Sequence, residues 1–128
     1  MRALLITPGL MLAASLTACD TLFPIACTDI GCPDGLTVEL SAPVVGEYTI
    51  EIEMPDGTVH TWRDTPANGV ARGFFPVRAD ELVVRVTTSA GSIEHTVQPE
   101  YEGLFPNGRR CDRRPVCHQA RLVLDPPG

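Results

Sequence analysis

Apolar and polar residues alternate with a period of two along most of the sequence after residue 35, and this pattern constrains the fold most strongly. In the clearest segment, residues 48–54, threonine and glutamate separate four apolar residues: Tyr48, Ile50, Ile52 and Met54. Segments 36–40, 82–86 and 120–124 alternate in the same way, and segments 58–63, 70–77 and 92–98 do so less regularly. Such alternation is typical of strands with one face in a core and the other in water. The sequence therefore predicts about seven short strands and no helix.

Turn sequences separate the predicted strands. Glycine closes a turn-like triplet at 55–57, 67–69, 89–91 and 106–108, and 12 prolines are spread along the chain. Glycine and asparagine supply the backbone conformations that tight turns need, and proline interrupts strands. The spacing predicts an all-β fold, a small antiparallel β-sandwich over residues 32–128 that resembles immunoglobulin-like or transthyretin-like domains in architecture. Trp62 lies far from the cysteines, so the Cys…Trp…Cys core of true immunoglobulin domains is absent.

The first 18 residues have the layout of a secretory signal. A positive start at Met1-Arg2 precedes an apolar run over residues 3–16, which is too short for the ~20-residue helix that spans a bilayer. The sequence Leu16-Thr17-Ala18-Cys19 resembles the lipobox of bacterial lipoproteins. This resemblance implies that residues 1–18 are removed and that the Cys19 thiol carries a diacylglyceryl group. Acyl chains such as palmitate would then anchor the protein in a membrane.

The lipobox resemblance also sets the domain organisation. Residues 19–31 are assigned to the lipidated Cys19 and a tether, with residues 20–26 as its spacer. At ~3.4 Å per extended residue, this spacer keeps the domain within roughly 25 Å of the lipid surface. The implied location is the bacterial cell envelope, with the choice of inner or outer membrane and of membrane face left open. Segments 27–32 and 35–38 further resemble small bacterial lipoproteins with a single β-domain, a group that implies no activity.

Four cysteines remain after Cys19 is assigned to lipid: Cys27, Cys32, Cys111 and Cys117. An even number in a small exported domain predicts two disulfides, which can be connected in three ways. We favour the local pairs Cys27–Cys32 and Cys111–Cys117. A link from Cys32 to Cys117 is the alternative, because these residues precede the first and last predicted strands. A zinc site with His118 is disfavoured, since the cysteine spacings are wider than C-x2-C and the compartment is oxidising.

The chain is acidic, with a formal net charge of −6 that becomes −7 when Arg2 leaves with the signal. This charge argues against nucleic acid as a partner. Against this background four arginines cluster around Cys111: Arg109, Arg110, Arg113 and Arg114. Guanidinium groups suit carboxylate or phosphate recognition, so the cluster is a candidate binding loop. The alternative is a solvated loop whose charges balance the acidic face of the sheet.

Catalytic groupings are not recognisable in the sequence. His60 and His95 lie on predicted strands, where a structural role is expected, and the serines lack the sequence context of a nucleophile. Three glutamates are expected on the solvated face of the strand near residue 50, where they can pair with Arg85: Glu47, Glu51 and Glu53. Calcium-binding and phosphate-binding loop motifs are absent from the sequence. We therefore predict neither enzymatic activity nor a cofactor or metal.

Two classes of function follow from these expectations. The first is a membrane-anchored, non-enzymatic binding or structural module of the cell envelope, with a protein or glycan partner. The second is a lipid-anchored inhibitor of a hydrolase, a protease or lysozyme, that acts through the Arg-rich loop bounded by cysteines. The partner and the oligomeric state are not indicated by the sequence.

Overall fold

The computed structural model describes residues 26–128 of the chain; Cys19 and the predicted signal lie outside these residues. The described part is all-β and confirms the predicted fold class. Its eight strands are β1 (Gly35–Leu40), β2 (Tyr48–Glu53), β3 (Val59–Asp64), β4 (Arg72–Phe75), β5 (Leu82–Thr88), β6 (Gly91–Val97), β7 (Glu102–Leu104) and β8 (Cys117–Leu124).

The strands form two four-stranded sheets that pack as a sandwich. Sheet A has the order β4-β1-β8-β7, and sheet B has the order β3-β2-β5-β6. Sheet B is antiparallel throughout, as expected for strands joined by hairpins. Sheet A contains one parallel pair, β1 with β8, in which Gly35 lies opposite Gln119. The first and last strands of the domain are therefore the two central strands of sheet A.

The core lies between the sheets and uses the apolar positions that the alternation predicts. Tyr48, Ile50 and Ile52 of β2 are almost fully buried, while the residues between them are half-buried. Residues from the other central strands complete the core, among them Leu36, Val38, Val84 and Val86. Burial of these side chains is the main favourable term in folding, at roughly 2 kcal/mol for each large apolar side chain.

Strand β7, which the structure contains, is not predicted by the sequence. It has only three residues and pairs on one side only, with Cys117 to Gln119 of β8. Three residues are too few for alternation to be visible. A Cβ atom at Gly103 would lie 2.6 Å from Cγ of Pro115, so the loop that follows β7 packs directly on this strand.

The disulfides join Cys27 to Cys111 and Cys32 to Cys117, with Cα–Cα distances of 5.5 and 5.7 Å. The local pairs favoured from the sequence, Cys27–Cys32 and Cys111–Cys117, are therefore wrong, and the alternative link from Cys32 to Cys117 is confirmed. The physical reason is the parallel pairing of β1 and β8, which brings the segments that lead into these two strands side by side. All four cysteines are thus disulfide-bonded rather than available as zinc ligands.

Tyr48 connects the two sheets by hydrogen bonds. Its hydroxyl donates to the carbonyl oxygen of Arg72 (2.7 Å) and accepts from the Arg72 amide nitrogen (3.1 Å), so β2 is joined to the edge strand β4. Replacement by phenylalanine leaves both backbone groups without this partner. Such losses cost about 1–3 kcal/mol when the groups are shielded from water.

We expect Tyr48→Phe to lower the free energy of unfolding by about 2 kcal/mol, because two partly buried backbone groups lose their partner. Urea denaturation of the disulfide-intact protein measures this change. Tyr101→Phe is the matched control, since the Tyr101 hydroxyl accepts one bond, from the Ala79 amide at 3.0 Å. An equal loss in both variants would contradict the role assigned to Tyr48.

Candidate functional site

The loop between β7 and β8, residues 105–116, carries the candidate binding residues and is held in a folded conformation. The carbonyl oxygen of Gly108 accepts from the amides of Cys111 (3.2 Å) and Asp112 (2.8 Å). The Gly108 amide in turn donates to the Phe105 carbonyl at 2.9 Å, and Gly108 has a φ of 82°, a left-handed conformation that favours glycine. The loop therefore has defined turns rather than an extended backbone over residues 108–112.

Asn107 joins this loop to the N-terminal segment. Its Oδ1 accepts from the Thr28 hydroxyl (2.8 Å) and the Ile30 amide (2.7 Å). Its Nδ2 donates to the Ile30 carbonyl (2.9 Å) and to Asp112 Oδ1 (3.1 Å). The side-chain amide therefore uses both its donor hydrogens and both its acceptor positions, and it fixes residues 28–30 on the loop.

Asn107→Ala should remove the hydrogen bonds that hold residues 28–30 on the β7–β8 loop, while the disulfides at Cys27 and Cys32 remain. We expect amide hydrogen exchange at Ile30 to become at least tenfold faster, because its N–H loses its acceptor, while exchange within β2 and β5 changes little. Hydrogen exchange followed by mass spectrometry measures both regions. Asn68→Ala, in another turn, is the control. Unchanged exchange at Ile30 would show that the disulfides alone hold this segment.

The four arginines singled out from the sequence lie in this loop and are exposed: Arg109, Arg110, Arg113 and Arg114. Arg109 stacks over the Phe105 ring, with Cζ 4.4 Å from the ring centroid. Within residues 26–128, none of the four forms an ion pair. Asp112, the acidic residue among them, accepts instead from the Asn107 amide and side chain. The loop thus presents four exposed guanidinium groups to solvent, with a net charge of +3 over residues 105–116.

Disulfide bonds attach the N-terminal segment, residues 27–32, to the end of the domain that carries this loop. Cys27 is bonded to Cys111, in the middle of the arginine cluster, and Cys32 is bonded to Cys117, at the start of β8. The expected small loop closed by Cys111–Cys117 therefore does not exist. One disulfide within the arginine-bearing loop and a second at its end, on the first residue of β8, join this part of the chain to residues 27–32. Of the residues assigned to the tether, those from Cys27 onward are fixed against the domain.

On the outer face of sheet B, the predicted pairing of Arg85 with Glu47, Glu51 and Glu53 is confirmed for Glu51 only. Arg85 donates to Glu51 at 3.2 Å and pairs with Glu94, and this pairing with Glu94 raises the pKa of the guanidinium group. Arg63 lies 3.7 Å from Glu47. Exposed pairs of this kind contribute under ~1 kcal/mol each. The pKa of Asp56 is lowered by hydrogen bonds from Thr58, whose amide donates to its carboxylate in the β2–β3 turn.

The three histidines lie on strands β3, β6 and β8. His95 is half-buried, and its Nε2 lies 3.2 Å from the Asp125 carbonyl oxygen, whereas His60 lies half-buried on edge strand β3. His118 is adjacent to the arginine loop: its amide donates to Asp34 (2.6 Å), and its Nδ1 lies 3.2 Å from Arg78 Nη1. Because guanidinium groups only donate, this His118 nitrogen is the acceptor.

A shallow, open depression of about 520 Å³ lies on the outer face of sheet A. Its lining is mainly polar and includes charges of both signs, among them Glu39, Arg72, Glu102 and Arg121. Arg121 donates to Glu39 at 2.8 Å, so part of this charge is internally paired. The depression therefore has less free charge to offer a ligand than the β7–β8 loop.

Sequence reasoning identified the arginines but missed the residues that position them. Asn107 was recognised only as part of a Pro-Asn-Gly turn, and Phe105 and Asp34 were not singled out. The turn triplet is a local signal, whereas the contacts of Asn107 with Thr28 and Ile30 join residues more than 75 positions apart. No pattern in a single sequence encodes that proximity.

The fold and site define a disulfide-crosslinked β-sandwich with a cationic loop beside its N-terminal segment. Comparison with protein-family models, with curated proteins and with solved structures finds no match. Residues 26–128 include no helix that is long and apolar enough to cross a membrane.

Proposed function

We propose that this protein is a membrane-anchored bacterial lipoprotein whose β-sandwich is a non-enzymatic binding or structural module of the cell envelope. The observation that carries the proposal is the pairing of Cys27, Cys32, Cys111 and Cys117 in two disulfides. Structural disulfides belong to oxidising compartments outside the cytoplasm. The pairing also leaves Cys19, in its lipobox-like sequence, as the cysteine without a disulfide partner.

The distribution of polar groups supports a binding module rather than an enzyme. The half-buried His60 and His95 are on strands, and His95 Nε2 contacts the backbone carbonyl oxygen of Asp125. General acid–base catalysis needs a base within hydrogen-bond reach of a nucleophile or substrate. In the described part of the chain, exposed arginines without an ion pair are instead concentrated in the β7–β8 loop, where they suit an anionic partner.

Mass spectrometry of the protein purified from a bacterial membrane tests the anchor. We expect the chain to begin at residue 19 and to carry a diacylglyceryl group on Cys19. Cys19→Ser should abolish this modification and release the protein from the membrane fraction. The control is the pair Cys27→Ala and Cys111→Ala, which removes one disulfide and should leave lipidation intact. An unmodified Cys19 in the membrane-bound protein would refute the proposed anchor.

Protease accessibility of the tagged domain then places it in the envelope. Digestion in intact cells would mean a surface location and an external protein or glycan partner. Protection until the outer membrane is permeabilised would mean a periplasmic location and an envelope partner within reach of the tether. Either result is compatible with the anchored module and directs the search for its partner.

Inhibition of a hydrolase through the arginine loop is the second hypothesis, and the loop conformation gives it less support. The inhibitory loop of a protease inhibitor presents an extended backbone to the active-site cleft of the protease. Arg109 and Arg110 instead lie in a turn closed by the Gly108 carbonyl. Arg113 and Arg114 are exposed beyond this turn. An inhibition panel of trypsin-like proteases and lysozymes tests the hypothesis, and inhibition that Arg113→Ser abolishes would favour it.

A further inference from the structure

We infer that the β7–β8 loop is a membrane-facing surface that binds the anionic phospholipid headgroups of the membrane in which Cys19 is anchored. This inference rests on the proposed lipid anchor. It adds an orientation: the corner of the domain that carries the arginine loop contacts the membrane.

The first support is the covalent path from Cys19 to the loop. Eight residue steps separate Cys19 from Cys27, a span of at most ~27 Å for an extended chain. The Cα atoms of Cys27 and Cys111 are then only 5.5 Å apart. The arginines that flank Cys111 are therefore tied to the anchored residue by a short connection rather than through the body of the domain.

The second support is charge. Residues 105–116 contain four arginines and one aspartate, Asp112, which gives a net charge of +3. The acidic β2–β3 turn at Asp56 lies at the same end of the strands as the loop, because Glu53 pairs with Val83 near the start of β5 and Arg78, just before β5, contacts His118 at the start of β8. The turn is nevertheless at the other edge of the sandwich, since β3 packs near β4 and the loop follows β7. With a screening length of ~8 Å at physiological salt, charge at the loop acts locally despite the acidic domain.

The third support is the apolar character of the residues around the arginines. Ile30, whose amide and carbonyl are bonded to Asn107, is 53% exposed, and Val116 at the end of the loop is 45% exposed. Phe105 lies beneath Arg109. Arginines beside exposed apolar side chains match the headgroup region, where the charge meets phosphate and the apolar groups enter the boundary with the acyl chains.

The expected strength is sufficient for a tethered domain. Each unit of net positive charge near an anionic surface raises partitioning roughly fivefold, so the net charge of +3 gives a gain on the order of 10²-fold. Tethering supplies a millimolar effective concentration, at which a weak contact is occupied. Loop and acyl chains would then act as two signals for membrane attachment.

Arginine footprinting on vesicles tests the orientation. The mature chain from residue 19 is coupled through the Cys19 thiol to a maleimide lipid, because the other cysteines are disulfide-bonded. This coupling makes the test independent of whether cells lipidate Cys19. The reagent p-hydroxyphenylglyoxal modifies arginines, and mass spectrometry gives the rate at each one, on phosphatidylcholine vesicles with and without phosphatidylglycerol.

We expect modification of Arg109, Arg110, Arg113 and Arg114 to slow at least fivefold on the anionic vesicles and to recover in high salt. Arg63 and Arg121, on the outer faces of sheets B and A, are the internal references and should change less than twofold. Equal rates at the loop on both vesicles, or protection confined to the references, would overturn the inference. Protection by inorganic phosphate without anionic lipid would also overturn it, by assigning the loop to a soluble anion.

A second measurement uses variants of equal charge. With a single acyl chain coupled at Cys19, attachment is marginal and therefore sensitive to the loop. Replacing the four loop arginines by serine should weaken partitioning onto anionic vesicles at least tenfold. Replacing four sheet-face arginines should weaken it less than threefold: Arg63, Arg72, Arg85 and Arg121. Equal losses in the two variants would show that net charge, rather than this loop, determines binding.

Discussion

Replacing the four disulfide-bonded cysteines by alanine should lower the free energy of unfolding by about 7 kcal/mol in the chain-entropy description. The disulfides join residues 84 and 85 positions apart. Closing the first such loop contributes about 4.5 kcal/mol. Because the second bond is interleaved with the first and lies beside it, it closes a ring of only roughly 13 residues and adds about 3 kcal/mol. Domains of this size have about 5–15 kcal/mol in total, so the variant should be unfolded or nearly so.

The interleaved pairing makes a sharper prediction for the single pairs. Removing either pair alone, Cys27 with Cys111 or Cys32 with Cys117, should cost only about 3 kcal/mol, because the other bond still closes the long loop. The two single losses therefore sum to less than the loss in the quadruple variant. Urea denaturation followed by fluorescence of Trp62, the single tryptophan, measures all three variants. Strictly additive losses would contradict the assumption that each disulfide alone still closes the long loop.

Trp62→Ala should cost about 3 kcal/mol, because the indole closes the core at the edge where the two sheets meet. Its ring packs against Gly73 of β4, and its centroid lies 6.4 Å from that of Phe75 in an edge-on arrangement. Its Nε1 is buried without a hydrogen-bond partner within residues 26–128. Trp62→Phe keeps most of the contact and removes this N–H, so it should cost under ~1.5 kcal/mol. Chemical denaturation followed by circular dichroism compares them.

Gly73→Ala gives the complementary test of this contact. A Cβ atom at Gly73 would lie 2.6 Å from Trp62 Cγ, so alanine should destabilise the wild-type protein by about 1–3 kcal/mol. In the Trp62→Ala background the same substitution should be almost neutral, since the clashing ring is gone. The same penalty in both backgrounds would show that the clash is with another part of the structure.

The elements that the sequence predicted best are those whose information is local. Strand β2 was predicted because its apolar residues alternate, and burial of Tyr48, Ile50 and Ile52 confirms its core-facing side. The Asp56-Gly57 turn was recognisable for the same reason. Its glycine has a φ of 87°, and the preceding aspartate accepts from the Thr58 amide.

The elements that were missed depend on contacts between distant parts of the chain. The disulfide pairing follows from the parallel neighbours β1 and β8, and no periodicity within either strand reveals which strand lies beside it. Strand β7 exists because β8 offers it a free edge. The arginines were recognised as candidates from their spacing, whereas their position beside the N-terminal segment depends on Cys27–Cys111 and on Asn107.

The parallel pairing and the two disulfides have a mechanical consequence for a protein held at its N-terminus. Tension that enters at Cys27 is shared through Cys111 and Cys117 between β1 and β8, the central strands of sheet A. Both strands run in the same direction away from that attachment point, so a pull from the opposite end loads them side by side. The hydrogen bonds between them are then not opened one after another, as they are when a hairpin is pulled apart. The domain is thus attached to its tether at a place where force loads these two strands in shear.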